Sequence, residues 1–389
     1  MKCTGIDIAT GLPVELSFSN LITGVEPLVS PASKYAFLSP GWIDLQVNGF
    51  AGVDYNSPSA GREEIARSIR AIFKTGVTRF FPTVITGSAE NITGALGNLA
   101  AAKESIAEGS AMEAFHLEGP YISREDGPRG AHPARWVRPP DLGEFHRFQD
   151  AARGNIRLIT LAPEWPQAPQ FIESVVREGV AVSIGHTGAT PDQICAAVDA
   201  GATLSTHLGN GAHAELPRHP NYIWEQLAED RLAASFIVDG IHLPQSFLKV
   251  ALRAKGIERA TLVTDAVMPA GCAPGRYKLG EVDVELHADG SVRLQGATRL
   301  AGSALTMCKA IENAMRLAGL SLIEAITLAT RNPARIGRIA SRQRGLNTGE
   351  RADLVRFHYE EATNRIEVLE TYLSGALVYS DAVGRCSAT

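Results

Sequence analysis

Between Pro40 and Thr264 eight short apolar runs alternate with longer segments of helical character, and this alternation constrains the fold more than any other feature. The runs fall at 42–47, 79–84, 114–117, 157–161, 181–184, 203–206, 233–238 and 261–264. Strands separated by helices predict a parallel sheet with helices packed on it. Eight such units match a (β/α)8 TIM-like barrel rather than an open doubly wound sheet. Helices are expected over 62–74, 89–107, 303–317 and 321–330. Another is expected to start at Thr190-Pro191-Asp192-Gln193, where Thr caps, Pro suits the first helical position and Gln completes a capping box. A hairpin around Asp289-Gly290 interrupts the late part of this pattern. Strand signals mark residues 1–39, with a loop near Ser30-Pro31-Ala32-Ser33, and return from Gly349 onward. The expected organisation is a barrel over 40–348 and a small β-sandwich domain built from 1–39 and 349–389.

Four of the runs stop at a residue able to bind a metal or carry a proton: Glu118 in His116-Leu117-Glu118-Gly119, His186 in Gly185-His186-Thr187, His207 in Thr206-His207-Leu208 and Asp265 in Val263-Thr264-Asp265-Ala266. In a (β/α)8 barrel the reactive groups sit at the C-terminal ends of the strands. Taken singly, each has an ordinary structural reading: a hydrogen-bonded histidine, or a carboxylate that caps a helix or pairs with an arginine. Four together at four strand ends are hard to ascribe to coincidence. Glu118, His186 and His207 form a mixed O/N ligand set suited to Zn²⁺ or a similar divalent ion with a position left for water. Such an ion lowers the pKa of bound water to about 7, and Asp265 suits a general acid/base.

Composition excludes several other classes. The five cysteines among 389 residues are odd in number, scattered and without a C-x-x-C pair. This argues against a disulfide framework or thiolate metal site and fits a reducing cytoplasm. No basic-then-apolar leader and no run of about 18 apolar residues is found, so neither a signal peptide nor a membrane span is expected. The net charge of −5, without long charged blocks, makes nucleic acid an improbable partner. Gly49-Phe50-Ala51-Gly52 follows a strand but lacks the pattern of a phosphate-binding loop, and reads as a turn.

Over nearly its whole length the sequence resembles the N-acetylglucosamine-6-phosphate deacetylases of the amidohydrolase superfamily. The phrases that carry the resemblance are Pro40-Gly41-Trp42-Ile43-Asp44, His116-Leu117-Glu118-Gly119-Pro120, Gly185-His186-Thr187, Thr206-His207-Leu208, Val263-Thr264-Asp265-Ala266 and Leu300-Ala301-Gly302-Ser303-Ala304. The resemblance implies a barrel with a small β-sandwich, metal ligation by Glu118, His186 and His207, and Asp265 as general acid/base. It implies hydrolysis of the N-acetyl group of an amino-sugar phosphate, foremost N-acetylglucosamine-6-phosphate to glucosamine-6-phosphate and acetate, by a homodimer. It further assigns His132 to the acetyl carbonyl, Asn210 and the Gly211 amide to the phosphate, and His242 to the substrate. Arg218 takes the place of a phosphate-binding arginine that relatives can draw from the neighbouring subunit. Many amidohydrolases carry His-x-His in the first strand and bind a second metal. Here Gln46-Val47-Asn48 stands instead, and amides are poor ligands beside imidazole. One ion is therefore expected, Zn²⁺ foremost and Fe²⁺ as an alternative.

The sequence departs from the family where the sugar should sit. Relatives usually follow His-Leu with an aromatic residue and then Asn-Ala-Met, whereas Leu208 is followed by Gly209-Asn210-Gly211-Ala212-His213. Lost bulk at Gly209 and Ala212 is expected to widen or reshape the pocket, with Tyr222 and Trp224 as candidates to refill the space. His213 and His219 add polar groups. The alternative substrates are N-acetylgalactosamine-6-phosphate, another N-acyl amino sugar, or an N-acyl amino acid. A ligand-binding barrel without catalysis is disfavoured, because all four reactive residues are retained.

Overall fold

The computed structural model describes residues 1–29, 35–280 and 282–381. Its centre is an eight-stranded sheet of Trp42–Val47, Val77–Ile85, Phe115–Glu118, Ile156–Leu161, Ala181–Ile184, Leu204–Ser205, Ala233–Ile237 and Ala260–Val263. Neighbours in the sheet are neighbours in the chain, and every pair is parallel. The sheet curls until its first and last strands meet just beyond their C-terminal ends. There Asn48 N–H donates to Ala266 O (2.7 Å), Asp265 N–H donates to Gln46 O (3.0 Å), and Val47 bridges Ala266 in parallel. The sixth strand is shorter than the sequence suggests, yet Thr203 and Thr206 still donate to Val182 O and Ile184 O of the fifth. The alternation of strand and helix thus closes into the expected barrel.

The barrel interior is filled by side chains. Some are polar and satisfy one another: His116 Nε2 lies 2.7 Å from Thr160 Oγ1, which meets Thr206 Oγ1 at 2.6 Å, which meets Ser183 Oγ at 2.5 Å. Outside, helices cover the sheet with apolar stripes. Arg62–Phe73 buries Ile65, Ile69, Ile72 and Phe73, the i, i+3/i+4 spacing of one helical face. Pro191–Asp199 begins in the expected capping box of Thr190 and Gln193. The helix expected over 303–317 starts later, at Met307, because Ser303 is drawn into a strand: its Oγ donates to Thr264 O and its N–H to Asp265 O.

Two further sheets flank the barrel. A seven-stranded sheet joins both ends of the chain, with Leu354–Glu360 antiparallel to Phe37–Pro40, itself parallel to Lys2–Asp7. The expected hairpin at Asp289-Gly290 is present but belongs to a four-stranded antiparallel sheet spanning Gly275 to Ser303. The 30–33 loop and Cys386 lie outside the described residues. Among the described residues no helix is long and apolar enough to cross a membrane.

A buried ionic cluster fastens the terminal sheet to the barrel. Asp353 accepts from Arg79 of the second barrel strand (2.9 Å), from Arg342 (2.6 Å) and from the backbone N–H of Ser374 (2.7 Å). Burial opposes the charge of Asp353, but Arg342 and Arg79 outweigh it and hold the carboxyl at about 2. A depressed folded-state pKa contributes stability above the unfolded value near 4, and that contribution is lost as pH falls from about 4 to about 2. It amounts to about 2 kcal/mol for this fully buried group. Asp353→Asn, which leaves Arg342 buried without its counter-charge, should cost about 3–5 kcal/mol at neutral pH. It should also flatten the stability profile between pH 4 and 2; denaturant unfolding across that range checks both, and a wild-type-like profile would refute the role.

Candidate active site

The four reactive residues occupy one rim of the barrel. Glu118 ends the third strand, while His186, His207 and Asp265 stand just past the fifth, sixth and eighth. These last three adopt left-handed backbone, with φ of 50°, 28° and 50°. That conformation costs about 1–3 kcal/mol per residue and persists where surrounding bonds over-determine it. Here the bonds are Ser123 N–H to His186 O (2.9 Å), His207 N–H to Ser235 Oγ (2.8 Å), and the paired contacts of Asp265 with Gln46 and Ser303 (3.0 Å each).

Glu118 Oε1 lies 3.3 Å from His186 Nε2 and 3.0 Å from His207 Nε2, and the two nitrogens are 3.1 Å apart. Donors about 2.0–2.1 Å from a tetrahedral ion are separated by roughly 3.3 Å. The three atoms therefore have the spacing of three ligands to one divalent ion. His186 Nδ1–H donates to Pro128 O at 2.8 Å, which leaves its Nε2 lone pair for a metal. Burial opposes ionisation of Glu118, yet the two imidazoles hold its carboxyl well below the usual range. All three side chains are buried, and they form a possible metal-binding group among the described residues.

Asp265 is set beside this group by amides. Its Oδ1 accepts from Asn48 Nδ2 (2.6 Å) and Gln46 Nε2 (3.1 Å), and the same Gln46 nitrogen donates to Glu118 Oε1 (2.9 Å). Gln46 and Asn48 thus donate hydrogen bonds to the two carboxylates of the site. Burial, reinforced by the Glu118 charge, pushes the Asp265 carboxyl up to about 6. Its backbone is steadied from behind, as Asp44 Oδ2 accepts from Thr264 Oγ1 at 2.6 Å.

These groups open into a cavity of about 1050 Å³. His132 lines it, with Nδ1 2.9 Å from Thr86 Oγ1 and its ring edge-on to His186. Burial, then the neighbouring His186, lowers its pKa to about 3, so it is a neutral imidazole. Asn210, Gly211 and His242 also line the cavity, and Asp239 Oδ2 orients His242 Nδ1 at 2.6 Å. Arg218 is exposed and lies outside the cavity wall of its own chain. The expected widening at Gly209 does not occur there: a Cβ would stand 2.7 Å from Phe247 and 2.8 Å from Leu243, which fill the space. Ala212 does line the cavity, Tyr222 is engaged with His213 Nδ1 at 3.0 Å, and Trp224 is half exposed.

The amidohydrolase family model matches residues 37–378. The chain is 35% identical to the N-acetylglucosamine-6-phosphate deacetylase of Bos taurus over 88% of this chain and 83% of that one. It also resembles the N-acetyl-D-glucosamine-6-phosphate deacetylase of Mycobacterium smegmatis, solved as an Asp-to-Ala variant in complex with N-acetyl-D-glucosamine-6-phosphate. That match has a TM-score of 0.85 and 31% identity over 95% of both chains. The chain belongs to the N-acetylglucosamine-6-phosphate deacetylase family. A further relative, 32% identical over 86% of this chain and 88% of its own length, is the N-acetylgalactosamine-6-phosphate deacetylase of Escherichia coli O157:H7. Membership in this deacetylase family makes the chain a metal-dependent amide hydrolase.

Some residues of this deacetylase site escaped the sequence reading. Asp239 had a local signal, three residues before His242 in a turn where its Oδ1 accepts two backbone N–H groups. Thr86 and the Pro128 carbonyl had none, being distant in sequence from the rings they orient. If the three-residue group holds the metal, a chelator should lower the thermal midpoint of the wild type, because an ion bound to the folded state alone stabilises it. Glu118→Gln should make the midpoint insensitive to chelator and reduce bound metal by elemental analysis. An unchanged metal content in that variant would remove Glu118 from the ligand set.

Proposed function

We propose that this chain hydrolyses N-acetylglucosamine-6-phosphate to glucosamine-6-phosphate and acetate, using one divalent ion held by Glu118, His186 and His207. The observation that carries this reading is the convergence of those three donors beside Asp265, inside a cavity, in a chain of this deacetylase family. The mixed O/N set suits Zn²⁺, with Fe²⁺ as the alternative. Bound there, the ion would supply Lewis-acid polarisation of the acetyl carbonyl and acidify water. Neutral His132 donates to the same carbonyl oxygen and to its oxyanion, a role supported by its position in the cavity wall. Asp265 Oδ2, free of the amides that hold Oδ1, takes a proton from the attacking water. It then delivers that proton to the nitrogen as the C–N bond breaks, so water and amide become acetic acid and amine, and the acid's own proton, the second of the water, is lost as it ionises to acetate.

Asn210, the Gly211 amide and His242 bind the sugar phosphate from within the chain. Arg218, outside its own cavity, reaches the phosphate of a partner subunit in a homodimer, where a guanidinium suits bidentate contact. Residues 40–348 form the catalytic unit, and 1–39 with 349–389 a small β domain beside it. Four unpaired cysteines among the described residues accord with a reducing, cytoplasmic setting. The E. coli O157:H7 relative and the departure at Ala212, which lines the cavity, favour N-acetylgalactosamine-6-phosphate as the second reading.

Acetate release from both epimers, with and without the 6-phosphate, tests the substrate. A clear preference for an unphosphorylated compound would overturn the reading. Asp265→Asn should retain metal and fold while losing roughly 10²- to 10⁴-fold in kcat. Near-normal turnover would sink its role. Arg218→Ala should raise KM for the phosphorylated substrate, and mixing it with Asp265→Asn subunits should recover part of the activity if Arg218 acts across the dimer.

A further inference from the structure

The Asn48 side chain carries two polar ends, and only one of them has a partner among the described residues. The residue is 3% exposed yet lines the cavity. Its Nδ2 donates to Asp265 Oδ1 at 2.6 Å. Its Oδ1, in the same planar carboxamide, is buried without a hydrogen-bond partner among the described residues. The orientation of the amide is dictated by its neighbour. Turned over, Oδ1 would face a carboxylate oxygen at that short distance, acceptor against acceptor. An acceptor without a donor therefore sits next to Asp265, on a residue of the cavity wall. A buried oxygen left without a donor is unfavourable, and native structures provide one.

The reaction identifies that donor. Asp265 must pass its proton to the leaving nitrogen, so that nitrogen comes within hydrogen-bond reach of Asp265 Oδ2. Before the C–N bond breaks, the nitrogen carries a single hydrogen, the amide N–H. We propose that Asn48 Oδ1 accepts the hydrogen bond of the scissile N–H, so that one carboxamide grips both the general base and the leaving group. This rests on the deacetylase reading and adds a substrate contact to it. Once water has added to the carbonyl, the nitrogen that takes the proton from Asp265 carries positive charge until the C–N bond breaks, and over that interval its N–H is a stronger donor. The contact to Asn48 then strengthens along the reaction, which is the condition for a contact that accelerates the step.

The test compares two variants on two substrates in the metal-loaded, full-length enzyme. Asn48→Ala and Asn48→Ser are assayed on N-acetylglucosamine-6-phosphate and on 2-O-acetylglucose-6-phosphate, in which an ester oxygen replaces the N–H. Rates are normalised to bound metal. Loss of the grip on Asp265 weighs on both substrates, whereas loss of the Oδ1 acceptor weighs on the amide alone. In both variants kcat/KM on the amide should fall about tenfold to a hundredfold further than on the ester. Equal losses on the two would overturn the proposal and leave Asn48 as a positioning residue for Asp265. If the wild type prefers another N-acetyl compound, the substrate reading fails. The Asn48 comparison is then decided in the same way on that compound and its O-acetyl counterpart.

Discussion

The seam between the first and eighth strands is the constraint on which the rest of the site depends. A barrel must close somewhere, and here the closing hydrogen bonds join Gln46 O to Asp265 N–H and Asn48 N–H to Ala266 O. Alternate residues of a strand share one face. Asp44, Gln46 and Asn48 accordingly point the same way, and each bonds the turn across the seam: Asp44 through Thr264, the two amides through Asp265. A one-residue slip would present Leu45 and Val47 instead and strip Asp265 of both donors. Barrel closure and the orientation of Asp265 are therefore one event.

The same rim stores strain. His186, His207 and Asp265 are held in left-handed backbone, each by hydrogen bonds from a neighbouring strand end or loop. The conformation bends the chain sharply after the strand and turns the side chain inward over the barrel mouth. Gly211 belongs to this arrangement, since a Cβ there would stand 2.7 Å from His186 Nδ1. The loop after the sixth strand is thus packed directly on a residue of the fifth. Its glycines follow from close approach more than from a need for open space, and Gly209, filled from outside by Phe247 and Leu243, makes the same point.

What the sequence made legible is what repeats or is local. Eight apolar runs separated by helical segments imply a barrel because each unit announces itself within a few residues. The strand-end chemistry was equally plain, since Glu118, His186, His207 and Asp265 each follow an apolar run directly. The capping box at Thr190 and Gln193 appears as expected for the same reason. Contacts between distant segments left no such trace. Nothing near Ser303 signals that it would be recruited to a strand by Thr264 and Asp265. Nothing in Gln46-Val47-Asn48 reveals that amides unsuited to a metal would serve as donors to two carboxylates. Single positions misled when space was inferred from a missing side chain, as at Gly209, because Leu243 and Phe247, more than thirty residues on, had already taken that space.

The division between a legible centre and a less legible pocket has an electrostatic side. Among the described residues, the cavity wall of one chain carries four acids, Asp54, Glu118, Asp126 and Asp265, against two permanent cations, Lys278 and Arg299. Arg299 is already engaged with Asp126 at 3.0 Å and with the Gly130 carbonyl. An anionic substrate entering this wall meets repulsion unless positive charge is added. A divalent ion at Glu118 would offset the charge at the reacting end, where the acetyl group has no charge of its own. The phosphate end needs a separate cation. Arg218, exposed and outside the cavity of its own chain, is the cation that the proposed homodimer would bring there.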